Sequence, residues 1–476
     1  MMASRGSAPI AFVAALGGFL LGFDATVIAG TLPFLRHYYS GLGTGAGDFK
    51  LGIAISCLEW GAMIGNLSAG KLADRHGRRT ILQVTAALFL ASSILAATSV
   101  TYSTFIAARI IGGLGVGIAI LVAPMYIAEI APPSRRGRLV SVNQLMIVIG
   151  IAASSVSNWL LLPVGPDNWR WMLGVEAVPA IVFLSLLARV PESPRWLLLN
   201  GREERAREVL RRLGGPRTDE PYASLRAAIP SAPPPGFRAL GARELRGVLV
   251  FCIGLGVFQQ VTGINAVFYY LPIIFTKSAG NVVDAFWQTV VVGAVNVVMT
   301  LVAMHFIDRV GRRPLLLIGG LGMAASLLTI SAGFRQGSTH AGLVLPAVIA
   351  YVAAFAVSFG PIVWVLVSEL FPNRSRAIAI SVVGFCNSLC SALVTFLFPW
   401  QFHRWGASAT FFGYAILAIS ATVFVAVYAP ETRGRTLEEI EQSLRDGTLA
   451  EFDRNKAGSN ALRRLRRSVD RTGIDA

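Results

Sequence analysis

Several polar side chains sit inside long apolar runs of this chain, where each needs a partner. Asp24 lies in Gly22-Phe23-Asp24-Ala25-Thr26-Val27-Ile28-Ala29-Gly30, and Arg109 opens a glycine-rich run ending at Gly117. An ionised group in an apolar medium is costly unless it meets an opposite charge or changes its protonation. Burial favours the protonated carboxyl and a nearby arginine the ionised one, so moving Asp24 against Arg109 would bind and release a proton. A fixed ion pair that only secures the fold is the plainer alternative. Glu59 is a further acid in apolar surroundings; lining an outer cavity and packing toward neighbouring helices are both open to it. Gln259, Gln260 and Asn265 bring three amides, which donate and accept hydrogen bonds alike, into one otherwise apolar stretch. They call for polar partners or a water-filled cavity, and Gly263 between them permits a local break that lets them converge.

The elements that carry these groups are long apolar helices. Of 476 residues, 54% are apolar and only 14% charged, against roughly 25% charged in a soluble domain. The apolar residues form blocks of about twenty, the length that crosses a bilayer core as a helix. Twelve spans are expected, near 9–30, 51–71, 80–99, 104–128, 139–162, 170–190, 247–276, 285–307, 314–334, 343–369, 377–401 and 407–429. The first block is too long for a cleaved leader and runs on toward a second span. The net charge of +16 is a topology signal, not a nucleic-acid surface. With Arg5, the segments after even-numbered spans hold 34 of the 42 Lys and Arg, and those after odd-numbered spans hold six. By the positive-inside rule both termini are cytoplasmic, with anionic lipid assisting. Cys57, Cys252, Cys386 and Cys390 all fall in apolar spans and read as small packing residues. No metal cluster, nucleotide loop or nucleophile–base pair appears at useful spacing, so the chain is not expected to be an enzyme.

The two halves carry the same punctuation. Asp74-Arg75-His76-Gly77-Arg78-Arg79 recurs as Asp308-Arg309-Val310-Gly311-Arg312-Arg313. Glu129 with Arg136 recurs as Glu369 with Arg376, and Glu192 in Pro191-Glu192-Ser193-Pro194-Arg195 as Glu431 in Pro430-Glu431-Thr432-Arg433-Gly434. The offsets of 234, 240 and 239 residues mark a tandem duplication. The expected organisation is a six-helix bundle at 1–190, a cytoplasmic linker with short helices at 191–246, a second bundle at 247–430, and a cytoplasmic helix with a basic tail at 431–476. Paired bundles rocking about a midplane site are an alternating-access architecture. The repeated acids and arginines are expected to pair between helices when the cytoplasmic face is shut and to part when it opens.

With these loop signatures, the ordered set Arg109 to Gly117, Pro124-Met125-Tyr126-Ile127-Ala128-Glu129, Arg136-Gly137, Gln259-Gln260-Val261-Thr262-Gly263-Ile264-Asn265 and Gly360-Pro361-Ile362-Val363-Trp364 resembles the sugar porter family of the major facilitator superfamily. The likeness runs from about residue 10 to 445 and includes bacterial sugar–proton symporters. It implies an all-α membrane fold of two pseudo-symmetric six-helix bundles. It also implies a sugar site between the halves, with Gln259, Gln260, Asn265, Asn296, Asn387 and Gln144 in polar contact, Tyr269 in the pocket or its outer gate, and Phe355 and Trp364 against the ring. Gly360-Pro361 would loosen span 10. The resemblance supports Asp24 as the proton carrier and matches Glu176 to an acid of similar symporters that tunes it.

Two positions depart from the pattern. Ile151 lies seven residues after Gln144, where a xylose symporter of the family has glutamine and a mammalian glucose facilitator isoleucine, and Ser388 replaces the tryptophan of both. A roomier, less polar pocket is the expectation. The reading is therefore monosaccharide import by proton symport, with the proton as coupling ion and no cofactor. The partners are a sugar and the bilayer, not nucleic acid, and the carrier is expected to act as a monomer in the plasma membrane. An uncoupled facilitator and a membrane sugar sensor are the rivals.

Overall fold

In the computed structural model the structure describes residues 7–39, 46–132, 135–214, 222–223, 226, 240, 243–335, 341–372, 375–434, 439 and 442. Among these it is helical without strands, and twelve helical spans are long and apolar enough to cross a membrane. They run Ser7–Leu35, Gly47–His76, Arg78–Ala97, Tyr102–Ile130, Arg136–Val164, Asn168–Leu187, Leu245–Ser278, Val282–Val310, Arg312–Gly333, Gly342–Leu370, Ile378–Arg404 and Gly406–Tyr428, spans 1 to 12 below. Pro194–Leu199 and Glu203–Gly214 are short helices between spans 6 and 7. Pro233 to Pro235 and the basic run at Arg463 to Arg467 lie outside the described residues.

Three spans are broken, each for a local reason. Span 7 divides into Arg243–Val261 and Ile264–Ala279 at Gly263, whose φ of 91° suits glycine. Span 6 divides into Asn168–Gly174 and Ala177–Leu187, which leaves Glu176 in the gap. Pro179, in the first turn of the second piece, has no N–H to return to the Val175 carbonyl. Span 10 divides into Ala341–Val357 and Phe359–Leu370 at Ser358, not at the expected Gly360-Pro361 pair. Pro361, like Pro179 the third residue of the second piece, has no N–H to return to the Val357 carbonyl, the last residue of the first piece.

Spans 1 to 6 and 7 to 12 form two helical bundles. Span 1 packs on spans 4 and 5, span 2 on span 4, span 9 on spans 10 and 12, and span 7 on spans 11 and 12. The glycine run of span 4 is a packing surface: a Cβ at Gly113 would lie 2.0 Å from the Leu58 carbonyl oxygen of span 2. The four cysteines are unbridged, with Cys57 and Cys252 buried and Cys386 and Cys390 partly so.

The halves meet through spans 2 and 11, 5 and 8, and 1 and 7. The side-chain contacts across this seam lie at the end away from the repeated charge motifs, or near mid-span. His403 meets Asp48 at 2.7 Å, Phe49 stacks with Trp400, and Trp159 lies 5.4 Å from Trp287 between ring centroids.

Candidate functional site

The break at Gly263 brings the amides of span 7 to face span 11. Asn387 Nδ2 donates to Gln259 Oε1 at 2.8 Å and to the Gly256 carbonyl at 2.9 Å. Gln260 Nε2 donates to Asn387 Oδ1 at 3.1 Å. Gln259 Nε2 donates to the Phe359 carbonyl at 2.7 Å, in the first turn after the break in span 10. Asn265 Nδ2 donates to Ser391 Oγ at 2.7 Å. Gln260 Oε1 is buried and has no hydrogen-bond partner, so it can accept from a hydroxyl-bearing solute.

Gln259, Gln260, Asn265 and Asn387 therefore form one polar group. Tyr269 is buried one turn beyond Asn265, and its hydroxyl donates to Glu59 Oε1 at 2.8 Å. Trp364 faces Gly384 of span 11, whose Cβ would stand 3.8 Å from its ring and 4.0 Å from Asn66 Nδ2. Phe355 folds over its own helix break against Gly360. Asn296 is buried on span 8, while Gln144 and Ile151 are partly buried on span 5. Among the described residues no hydrogen bond joins these three to the amide group.

A second group lies in the amino-terminal half. Asp24 and Arg109 are fully buried and ion-paired through Asp24 Oδ1, and Arg109 Nη2 also donates to the Asp24 carbonyl at 2.9 Å. Glu176, released from regular helix at the break in span 6, turns its carboxyl to Asp24. Asp24 Oδ2 and Glu176 Oε1 are both buried without a hydrogen-bond partner. Gly112 makes the room, because a Cβ there would stand 2.5 Å from Asp24 Oδ2 and from Ser92 Oγ. Two carboxyls and one guanidinium thus share a water-poor pocket.

The repeated loop charges build one motif twice. Arg78 pairs with Asp74 at 3.1 Å and Glu129 at 3.0 Å, and Arg312 with Asp308 at 3.1 Å and Glu369 at 2.8 Å. Glu192 accepts from the backbone N–H groups of Arg78 and Arg79 at 2.9 and 3.1 Å, and Glu431 from those of Arg312 and Arg313 at 3.1 Å each. Each glutamate thereby caps the positive end of a helix. Gly77 and Gly311, with φ of 96° and 106°, lie directly under the carboxylates, where a Cβ would collide. These bonds tie helices within one half and persist while the halves meet elsewhere, so they are not bonds between the halves. Arg136 is exposed, and the Arg376 guanidinium donates to the Phe371 carbonyl at 3.2 Å, where burial lowers its pKa.

Other groups escaped the sequence reading. Asn66 Nδ2 donates to Ser388 Oγ across the seam at 3.2 Å. Ser388, one of the two positions that depart from the family pattern, thus takes part in a polar pair with span 2. Asn66 and Ser391 carried no motif, and nothing in their spacing marks them until spans 2 and 11 are placed together.

The sugar (and other) transporter family matches residues 10–444, and the chain belongs to it. It is 36% identical over 474 residues to the D-xylose-proton symporter of Escherichia coli K12, covering 91% of this chain and 94% of that protein. It is 37% identical over 440 residues to the arabinose-proton symporter of Bacillus subtilis, covering 91% and 94%. Among solved structures it is similar to the E. coli xylose transporter in a partially occluded inward-open conformation, with a TM-score of 0.81 and 34% identity over 91% of this chain and all of that one. The same transporter bound to 6-bromo-6-deoxy-D-glucose gives a TM-score of 0.76. The chain is thus a sugar transporter of the major facilitator superfamily, an integral membrane protein and not an enzyme.

Proposed function

We propose that this transporter imports a monosaccharide by proton symport through alternating access. The observation that carries the reading is the buried group of Asp24, Glu176 and Arg109. One guanidinium balances one carboxylate, and a second carboxyl beside it in the membrane interior calls for a proton. Span 1, which carries Asp24, packs against the part of span 7 that carries Asn265 and Tyr269, so movement between the halves reaches both groups.

In this reading Gln259, Gln260, Asn265 and Asn387 hold the sugar, Tyr269 and Trp364 close on it, and Asn296, Gln144, Ile151 and Phe355 line the path. The halves 1–190 and 247–430 move against each other as a monomer, with both termini and the repeated charge motifs on the cytoplasmic side of the plasma membrane. The halves then meet on the outer side, which is an inward-facing state. The names of these two relatives favour a pentose and a proton.

Reconstituted protein in liposomes tests this directly. Sugar addition is expected to drive proton uptake, and Asp24→Asn to abolish that uptake while sparing sugar counterflow. Sugar flux without proton movement in the parent protein would reject coupling and leave a facilitator. Sugar binding without any flux would leave a sensor.

A further inference from the structure

Glu59 belongs neither to the charge group of Asp24 nor to the amide group. It is 8% exposed in the middle of span 2, and its observed bond crosses to the other half, where the Tyr269 hydroxyl donates to Oε1 at 2.8 Å. The Ser391 hydroxyl of span 11 also faces this carboxyl, and Ser391 in turn accepts from Asn265. Seven residues along the same face of span 2, Asn66 donates to Ser388, three residues before Ser391 on span 11. Span 2 thus presents two polar groups, two helical turns apart, to two serines about one turn apart. An acid at this depth without an arginine or lysine in ion-pair contact among the described residues has a strong requirement for hydrogen-bond donors. Here those donors come from the opposite half.

We infer that Glu59 is a positioning residue of the transport cycle, the acceptor in the amino-terminal half that latches the outer gate through Tyr269 and Ser391. Outward opening separates spans 2 and 11 and must break the Glu59–Tyr269 bond. Water then replaces the lost donors. Because Asn265 shares Ser391 with the latch, closure of the gate and satisfaction of the amide group are linked through one hydroxyl. The inference needs alternating access and does not rest on proton coupling.

The test measures gate opening directly in the full chain. Spin labels on Val100→Cys and Val283→Cys, exposed outer-end positions on opposite halves, report the distance between the halves after replacement of the four native cysteines. Without sugar, Glu59→Ala and Tyr269→Phe are each expected to raise the ratio of open to closed outer gates about tenfold, as for loss of one hydrogen bond to a carboxyl group. Glu59→Gln keeps an acceptor and is expected to stay within about twofold of the parent. The double variant Glu59→Ala/Tyr269→Phe should exceed the larger single effect by less than about twofold, since both remove the same bond. Tyr269→Phe removes one hydroxyl with little change of volume and keeps the test decisive if Glu59→Ala does not fold. Single variants within twofold of the parent, or single effects that multiply in the double variant, would overturn the inference.

Discussion

A single methyl group at Gly52 should hold the outer gate open. Gly52 lies on span 2, where span 11 of the other half comes closest: an added Cβ would stand 2.2 Å from the Phe396 carbonyl oxygen and 3.1 Å from its ring. A carbon and a carbonyl oxygen need about 3.4 Å, so the two backbones must part by roughly 1 Å. Both atoms to be moved belong to packed helices, and no rotamer change relieves the contact. Overpacking of this kind costs about 1–3 kcal/mol. In the proposed cycle this contact exists only while the outer ends are together, so the cost falls on the inward-facing state, and Gly52→Ala should raise the ratio of outward- to inward-facing protein roughly 5- to 150-fold. The variant is expected to bind labelled sugar from the outer side at close to parental affinity and to lose most of its counterflow rate. Counterflow at the parental rate, with unchanged distances between the outer ends, would refute the reasoning.

Three further outcomes follow from the geometry. Gly112→Ala should impair proton uptake more than sugar counterflow, because the added methyl displaces Asp24 and Ser92 rather than the amide group, and Gly112→Ala/Ser92→Ala should recover part of the loss; parallel uptake assays decide it. Glu192→Ala and Glu431→Ala each remove a carboxylate that accepts from two helix N-terminal amides, and each should lower stability by about 1–3 kcal/mol, read as a fall in unfolding temperature, with similar values for the two halves. Asn387→Ala strips Gln259 and Gln260 of a shared partner and should raise the sugar KM at least tenfold, more than Gln144→Ala, which lies outside that network; uptake kinetics would show the order.

The fold was legible because membrane-spanning helices are long, apolar and countable, and because duplication writes every structural demand twice. The arginine and glutamate of each loop could be matched across halves before any coordinate was known. What they do was less legible. Spacing grouped Glu129 with Arg136 and Glu369 with Arg376, but did not show that Arg78 and Arg312 take those glutamates or that Glu192 and Glu431 turn inward to cap helices, which depends on the positive φ of Gly77 and Gly311. Span 10 was expected to loosen at Gly360-Pro361 and divides at Ser358, because the N–H that Pro361 lacks would have returned to Val357, four residues earlier.

The candidate site divides in the same way. Asp24 and Arg109, 85 residues apart, stood out because charge in an apolar run is costly wherever the chain folds, and the amides of span 7 stood out for the same reason. Their residue types were set by local chemistry, and local chemistry is visible in sequence. Glu59 stood out equally, yet its partner did not, because Tyr269 lies 210 residues away on a helix whose rotation depends on the break at Gly263. Asn66, Ser388 and Ser391 are ordinary residues until two helices from different halves are laid side by side. The sequence by itself determined which groups could not be left alone in a membrane; only the tertiary structure decided which of them keep each other company, because that depends on how the two bundles meet.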